Sequence, residues 1–165
     1  MKNVRMFCHF TLFEGGIYFA KCSRIEKVGI PMIGIVIVTH GHLGQEVLKT
    51  AEFIVGGLEG CATVSIDGSK GPEAIKKMIG TAIGTVDKGR GVLLLTDMFG
   101  GTPSNISLAF LEEGKVEVLT GVNLPMLIKA VQIREKSVLA EAAQVIGEYS
   151  RKSITVAGEL LGGRG

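Results

Sequence analysis

The sequence has few of the features that mark secreted, membrane-spanning and nucleic-acid-binding proteins. It contains three cysteines and no Cys-x-x-Cys pair, which favours reduced thiols in a cytoplasmic protein over a disulfide framework. No uninterrupted apolar run approaches the roughly 20 residues that a transmembrane helix needs. The formal net charge is only +2, from 18 basic and 16 acidic residues. Because no dense stripe of Lys and Arg is present either, we expect no nucleic acid among the partners.

The first 31 residues differ in composition from the rest of the chain. Basic residues are interspersed there with aromatic and aliphatic ones, without the continuous apolar core and small-residue cleavage site of a signal peptide. Pro31 and Met32 directly precede the first strongly apolar segment. We interpret residues 1–31 as a leader or extension outside the native protein, with Met32 as the natural start and 32–165 as the functional domain. A hairpin or helix packed on that domain is the alternative.

From residue 32 onward, short apolar segments alternate with segments of helical periodicity. The first and third apolar segments lack polar alternation, as strands buried on both faces do. The second is a short strand, and the fourth has the partial alternation of an edge strand. The predicted strands are 32–39, 62–66, 91–96 and 115–120, followed by a weaker one at 153–157. The predicted helices are 44–55, 72–85, 103–110, 123–133 and 138–150. This alternation predicts an α/β fold with a doubly wound, mainly parallel sheet and helices on both faces.

Polar clusters follow the first, third and fourth of these strands. They are T-H-G-H at 39–42, D-M-F-G-G-T-P at 97–103 and G-V-N-L-P at 121–125. In an open parallel sheet, ligands bind beyond the carboxyl ends of the strands, where the strand order reverses. If the order is 2-1-3-4, the first and third strands are neighbours. Their ends then bring His40 and Asp97 together, although these residues are far apart in sequence.

A histidine beside a carboxylate and a glycine-rich turn suits phosphoryl transfer. A neutral imidazole is a good nucleophile at about pH 7. A carboxylate that accepts a hydrogen bond from its second nitrogen fixes the tautomer and stabilises the charge that develops on the ring. Gly100, Gly101 and Thr102 lie at the start of a predicted helix, where backbone N–H groups can point at an anion. We therefore predict His40 and Asp97 as catalytic residues and these three residues as the phosphate-binding loop.

Other roles for the polar residues stay open. His42 is a second candidate for the nucleophile, and Asp97 could serve only as a helix cap or turn residue. Asp67 also follows a strand, but its Asp-Gly context is typical of a turn. His40, His42 and Asp97 could together supply three metal ligands, yet we predict neither a metal nor a cofactor. The first strand is not followed by G-x-G-x-x-G and no G-x-x-x-x-G-K-[ST] occurs, which disfavours a nucleotide-binding module.

Three motifs in this chain occur in an order and spacing that are specific. They are I-G-I-V-I-V-T-H-G, L-L-L-T-D-M-F-G-G-T-P-S-N and T-G-V-N-L-P-M-L. With them, the stretch from Met32 to about Arg151 resembles the IIA component of the mannose-class sugar phosphotransferase system. The resemblance implies a phosphocarrier whose His40 takes a phosphoryl group from the phosphohistidine carrier protein HPr. His40 then passes the group to a IIB component, for sugar uptake and phosphorylation or its regulation. Asp97 is implied as the partner carboxylate, and Thr102 falls where the family has a Ser or Thr hydroxyl.

The same resemblance carries expectations about assembly. It implies the sheet order 2-1-3-4 and a C-terminal antiparallel strand, at 153–157, that is exchanged in a homodimer. Family members are often fused to a IIB domain. Few residues follow Arg151, so we expect IIB to be a separate chain and the membrane to be reached only through the transporter complex.

Two other functions are compatible with a strand-end histidine. The phosphotransfer subunit of a dihydroxyacetone kinase shares the fold, but the G-G-T-P and T-G-V-N-L-P segments favour the mannose class. A tetrapyrrole metal chelatase would use a His-Gly pair after the first strand to bind the metal. It would also need a second histidine at another strand end, and none follows His42 in the sequence.

Overall fold

The structure is a computed structural model that describes most of the chain. The described residues are 9–12, 18–21 and 30–162. The chain divides into two units, Met1–Ile30 and Pro31–Gly165. In the first unit, β1 (His9–Leu12) and β2 (Tyr18–Lys21) pair antiparallel. The interpretation of residues 1–31 as a leader concerns many positions outside the described residues, and it stays a prediction.

A four-stranded sheet forms the centre of the second unit. Its strands are β3 (Gly34–His40), β4 (Cys61–Ile66), β5 (Val92–Thr96) and β6 (Val116–Thr120). They are arranged in the order β4-β3-β5-β6, and every neighbouring pair is parallel. Counted along this unit, the order is 2-1-3-4, which confirms the predicted topology. The fourth strand lies at an edge, as its partial alternation predicts.

Helices cover both faces of this sheet. They are α1 (Leu43–Val55), α2 (Pro72–Val86), α3 (Thr102–Leu108), α4 (Leu124–Ile133) and α5 (Leu139–Lys152), and the short α6 (Ala157–Gly162) follows them in the chain. Helices α1, α4 and α5 share one buried apolar cluster with the sheet, and α2 and α3 pack against the cluster on the opposite face. In the described part of the chain, no helix has both the length and the apolarity needed to cross a bilayer.

The central strand β3 shows how the apolar pattern positions the site. Ile35 and Ile37 belong to one apolar cluster, whereas Val36 and Val38 belong to the other. Because side chains alternate across a strand, a strand covered on both sides needs no polar residues until it leaves the core. That point lies at its carboxyl end, where the last residue, His40, is exposed.

The C-terminal segment differs from its prediction. Ser153 is a turn residue, residues 154–156 have no regular structure, and α6 begins at Ala157. The alternation that predicts a strand is real, since Ile154 is 78% and Val156 61% exposed. A strand also needs a neighbour for its backbone N–H and C=O groups, and the described part of this chain supplies none at this position. Exchange of a strand with a second subunit therefore stays a prediction.

Candidate functional site

His40 ends β3 at the carboxyl edge of the sheet. Its side chain is 51% exposed, although the strand before it is fully buried. The next residue, Gly41, has φ of 53°, a left-handed conformation that glycine adopts at little cost. The N–H of Gly41 donates to the carbonyl of Ile66 at 2.8 Å. The chain thus turns away immediately after His40 and leaves the imidazole accessible.

The start of α1 stabilises the same turn. The N–H of Gly44 donates to the Thr39 hydroxyl at 2.8 Å, which satisfies one of the free N–H groups at the beginning of the helix. A β-carbon at Gly44 would lie 3.1 Å from both Ile37 Cγ2 and Thr39 Oγ1. The helix therefore packs directly on the end of the strand that carries His40, which holds the backbone at the site.

Asp97 follows β5, the neighbour of β3 in the sheet, and contacts His40 twice. His40 Nδ1 lies 2.8 Å from Asp97 Oδ2, and the backbone N–H of His40 donates to the same oxygen at 2.8 Å. The other oxygen, Oδ1, accepts the N–H of Met98 at 2.9 Å. The strand order brings together the two residues that sequence analysis placed at neighbouring strand ends. The carboxylate fixes both the main chain and the side chain of His40.

The ionisation state of Asp97 determines which nitrogen of His40 is free. Burial alone would raise the pKa of Asp97, but hydrogen bonds from the His40 backbone, the His40 ring and the Met98 backbone together hold that pKa below its usual value. An ionised carboxylate only accepts hydrogen bonds. In the neutral form of the imidazole, His40 Nδ1 must then carry the proton, which leaves the lone pair on Nε2. The contact thus assigns the tautomer that a nucleophilic imidazole needs.

The glycine-rich loop after β5 lies against the His40 ring. A β-carbon at Gly101 would lie 3.1 Å from His40 Cε1 and 3.3 Å from Met98 Cγ, so only glycine fits without displacing the ring or its neighbour. Gly100 has φ of 81°, in the region that favours glycine. Gly101 is the N-terminal cap of α3, and the exposed Thr102 is the first residue of that helix. Of the predicted phosphate-binding residues, Gly101 therefore adjoins the imidazole.

Two other candidate residues are occupied in local contacts. The Nδ1 atom of the exposed His42 lies 3.2 Å from the side-chain oxygen of Gln45. Asp67 accepts hydrogen bonds from the N–H and the hydroxyl of Ser69 and lies 3.4 Å from Lys70 Nζ, the local pattern of a turn. Among the described residues, no group of three or more His, Cys, Asp or Glu side chains is placed to hold a metal ion.

The third polar cluster, at 121–125, has a structural use. The side chain of Asn123 accepts the N–H of Met126 at 2.8 Å and caps α4, which is a common role for Asn at a helix start. The N–H of Val122 donates to the carbonyl of Thr96 at 2.9 Å. This motif therefore ties α4 to the end of β5, the strand that precedes Asp97.

Two features of the site are absent from the sequence predictions. One is the hydrogen bond from the His40 backbone to Asp97, which no residue pattern signals. The other is the exposure of Met98, at 57%, and Phe99, at 74%. The sequence did contain a signal for the exposure of Met98 and Phe99, because these two large apolar residues lie in a short glycine-rich loop between a predicted strand and a predicted helix. Such a loop lies on the surface and offers little space for burial.

This chain matches the family model EIIA-man, described as the PTS system fructose IIA component, over residues 34–146. It is 34% identical over 104 residues to the PTS system mannose-specific EIIAB component of Escherichia coli (strain K12). That alignment covers 62% of this chain and 32% of the relative, so the chain spans about a third of that protein. It is 28% identical over 131 residues to the PTS system fructose-specific EIIA component of Bacillus subtilis (strain 168), over 79% of this chain and 90% of the relative.

A solved structure is similar along the same region. The crystal structure of phosphotransferase system component EIIA from Streptococcus agalactiae aligns with a TM-score of 0.71 and 27% identity. The alignment covers 78% of this chain and 99% of that one. The family model alone matches more than half of the sequence, and the fold agrees with it. This chain belongs to the EIIA-man family of phosphotransferase system (PTS) IIA components.

Proposed function

We propose that this chain is a phosphocarrier of a sugar phosphotransferase system. In this role His40 accepts a phosphoryl group from the phosphohistidine of HPr and passes it to a IIB component. The observation that carries the proposal is the 2.8 Å contact between His40 Nδ1 and Asp97 Oδ2, in a chain of the EIIA-man family. This contact holds the ring proton on Nδ1 and leaves the imidazole accessible, so that Nε2 can act as the nucleophile.

The chemistry of the first transfer follows from this tautomer. The lone pair of His40 Nε2 attacks phosphorus while the bond from phosphorus to the donor's ring nitrogen breaks. The electron pair of that bond returns to the donor ring, which keeps the proton on its other nitrogen and leaves as neutral imidazole. The ring of His40 becomes positively charged, the transferred phosphoryl group keeps its negative charge, and Nδ1–H remains bonded to Asp97. No proton is released, and transfer to IIB reverses these steps.

We assign Gly100, Gly101 and Thr102 to the phosphoryl oxygens. Backbone N–H groups at a helix start have no partner within the helix and favour negative charge. Support comes from the position of Gly101 directly beside the His40 ring and from the exposure of Thr102. Groups fixed in place before the reaction stabilise the charge on the transferring group without reorganisation.

We further propose how the phosphocarrier is organised. Residues 32–165 form the functional domain of a cytoplasmic homodimer in which segment 153–157 is exchanged between subunits. The membrane is reached only through the transporter complex. The exposed apolar side chains of Ile154 and Val156 support the exchange. Light scattering of the whole chain tests the dimer, and the intact mass of the protein from its native host tests whether residues 1–31 are present.

Phosphorylation from purified components tests the central assignment. The chain is incubated with phosphoenolpyruvate, the general first enzyme of the system and HPr, and an acid-labile mass increase of about 80 Da is sought. We expect the adduct on the wild type and on His42→Gln, and its absence from His40→Gln. No adduct on the wild type, with an active control acceptor in the same tube, would overturn the function. An adduct on His40→Gln would overturn the choice of nucleophile.

A further inference from the structure

Asn105 lies on α3, about one turn beyond the glycine-rich loop that contacts the His40 ring. Its side-chain amide donates a hydrogen bond to the carbonyl oxygen of Gly100 at 3.2 Å. Its backbone N–H donates to the carbonyl oxygen of Gly101 at 2.9 Å. Because a carbonyl oxygen only accepts hydrogen bonds, the amide nitrogen of Asn105 must face Gly100. One residue therefore holds the carbonyls of both glycines in this loop.

The direction of these two carbonyls sets the direction of two N–H groups. The peptide bonds of the loop are trans, and in a planar trans peptide the C=O and N–H bonds point in opposite directions. Since the Gly100 carbonyl points toward Asn105 on α3, the N–H of Gly101 points away from that side chain. The Gly101 carbonyl sets the N–H of Thr102 in the same way. Gly101 and Thr102 are residues that we assign to the phosphoryl oxygens.

The peptide between Gly100 and Gly101 needs such a restraint more than its neighbours do. Gly100 has φ of 81°, and glycine adopts positive and negative φ about equally well. Because neither flanking residue has a β-carbon, this peptide can rotate with little steric resistance. Rotation would redirect the N–H of Gly101, whose α-carbon lies beside the His40 ring.

We propose that Asn105 is a positioning residue for phosphoryl transfer, an inference that rests on the proposed function. Its side-chain amide holds the Gly100–Gly101 peptide so that the Gly101 N–H is directed at the phosphoryl group on His40. Asn105 itself does not bind that group. A donor that is oriented before the reaction stabilises the transferring charge without reorganisation, so loss of the amide should slow the transfer.

Two substitutions remove the amide donor in different ways. Asn105→Ala removes the polar group, whereas Asn105→Asp keeps the shape of the side chain. An ionised carboxylate only accepts hydrogen bonds and cannot bind the Gly100 carbonyl. Both variants keep the backbone N–H that binds Gly101. The control is Thr81→Ala, because the exposed Thr81 on α2 also loses one side-chain hydrogen bond, from its hydroxyl to the carbonyl of Lys77 at 2.9 Å.

Single-turnover transfer from phospho-HPr measures the effect on the reaction. We expect Asn105→Ala and Asn105→Asp to lower the rate constant at saturating phospho-HPr on the order of tenfold. The concentration of phospho-HPr that gives the half-maximal rate should change little, because Asn105 acts on the loop and not on the donor protein. Thr81→Ala should react at the wild-type rate.

Amide resonances separate positioning of one peptide from general stabilisation of α3. Spectra of the isotope-labelled chain are recorded before and after phosphorylation. In the wild type, the amide protons of Gly101 and Thr102 should shift downfield as they donate to the charged oxygens. In Asn105→Ala, the Gly101 response should be largely lost and the Thr102 response should persist. The bond that orients the Thr102 N–H comes from the main chain and survives the substitution.

Several outcomes would overturn the proposal. Transfer at the wild-type rate by either Asn105 variant would leave the phosphocarrier function intact and remove the positioning role. A Gly101 response that persists in Asn105→Ala would do the same. Equal loss of the Gly101 and Thr102 responses would mean that Asn105 stabilises α3 as a whole. A wild type that phospho-HPr does not label would refute the proposed function, and the positioning role would fail with it.

Discussion

Replacement of Asp97 by Asn removes the negative charge beside His40 and preserves the size of the side chain. In the proposed reaction the phosphorylated ring is positively charged and stays within 2.8 Å of Asp97 Oδ2. For charge centres about 4 Å apart, Coulomb's law gives ~1 kcal/mol in water and ~4 kcal/mol at an effective dielectric constant of about 20. Asp97 is mostly buried and His40 is half exposed. Solvent screening therefore leaves ~2–3 kcal/mol, equivalent to about 30- to 150-fold slower transfer.

A single-turnover experiment measures this loss. Phospho-HPr is mixed with excess Asp97→Asn, and formation of the acid-labile adduct on His40 is followed by quenched-flow sampling. Asp87→Asn is the matched control, because Asp87 is an exposed residue at the end of α2 that accepts the N–H of Gly89 at 2.8 Å. If Asp97→Asn reacts as fast as Asp87→Asn while His40→Gln is inactive, the carboxylate does not stabilise charge on the ring.

Three further predictions follow from the geometry. Gly101→Ala should slow transfer about tenfold without changing Tm, because its β-carbon would lie 3.1 Å from His40 Cε1 and small displacements of reacting groups are costly. Urea unfolding should show that Asp97 stabilises the fold above pH 3.8, its ordinary pKa. That contribution should disappear as the pH falls through the lowered pKa of the folded state. Gly34→Ala should lower the free energy of unfolding by ~1–3 kcal/mol, because its β-carbon would lie 2.7 Å from the carbonyl oxygen of Val86.

Two of these predictions have a control variant within the chain, and the pH series has an outcome that would contradict it. Gly71 caps α2 with nearly the same backbone angles as Gly101 and has no neighbour within 4 Å of a β-carbon, so Gly71→Ala should transfer at the wild-type rate. In the pH series, a constant stability difference between wild type and Asp97→Asn down to acid pH would contradict the linkage. Gly84 lies in α2 with open space around it. Gly84→Ala should therefore stabilise the fold by ~0.5–1 kcal/mol, and equal destabilisation by both Gly→Ala changes would refute the steric argument for Gly34.

Local patterns predict most elements of the second unit. The segment predicted at 32–39 is β3 at Gly34–His40, and the helix predicted at 72–85 is α2 at Pro72–Val86. These predictions succeed because burial on both faces and helical periodicity are properties of neighbouring residues. The order of strands is a long-range property, and it came from the resemblance of the motifs. The strand predicted at 153–157 is not observed. Alternation indicates that a segment has an apolar and a polar face, but a strand also needs a neighbouring strand to pair with.

The candidate site was likewise predictable only in part. Proximity of His40 and Asp97 follows from strand order alone, since both residues lie at the carboxyl ends of adjacent parallel strands. The contact of Gly101 with the ring could not be predicted, because it depends on the path of the loop from Asp97. The hydrogen bond from the His40 backbone to Asp97 could not be predicted either. It depends on how two loops lie relative to each other, and no pattern of residues indicates that.

The single free nitrogen of His40 has a kinetic consequence. In the proposed phosphocarrier Nδ1 is held by Asp97, so that donor and acceptor both meet the chain at Nε2 and cannot be bound productively at the same time. The proposed carrier is then restricted to a double-displacement scheme, in which one partner leaves before the other arrives. Each partner in its unreactive form should act as a competitive inhibitor of the other. Flux through the system would accordingly pass through a maximum as the concentration of either partner increases.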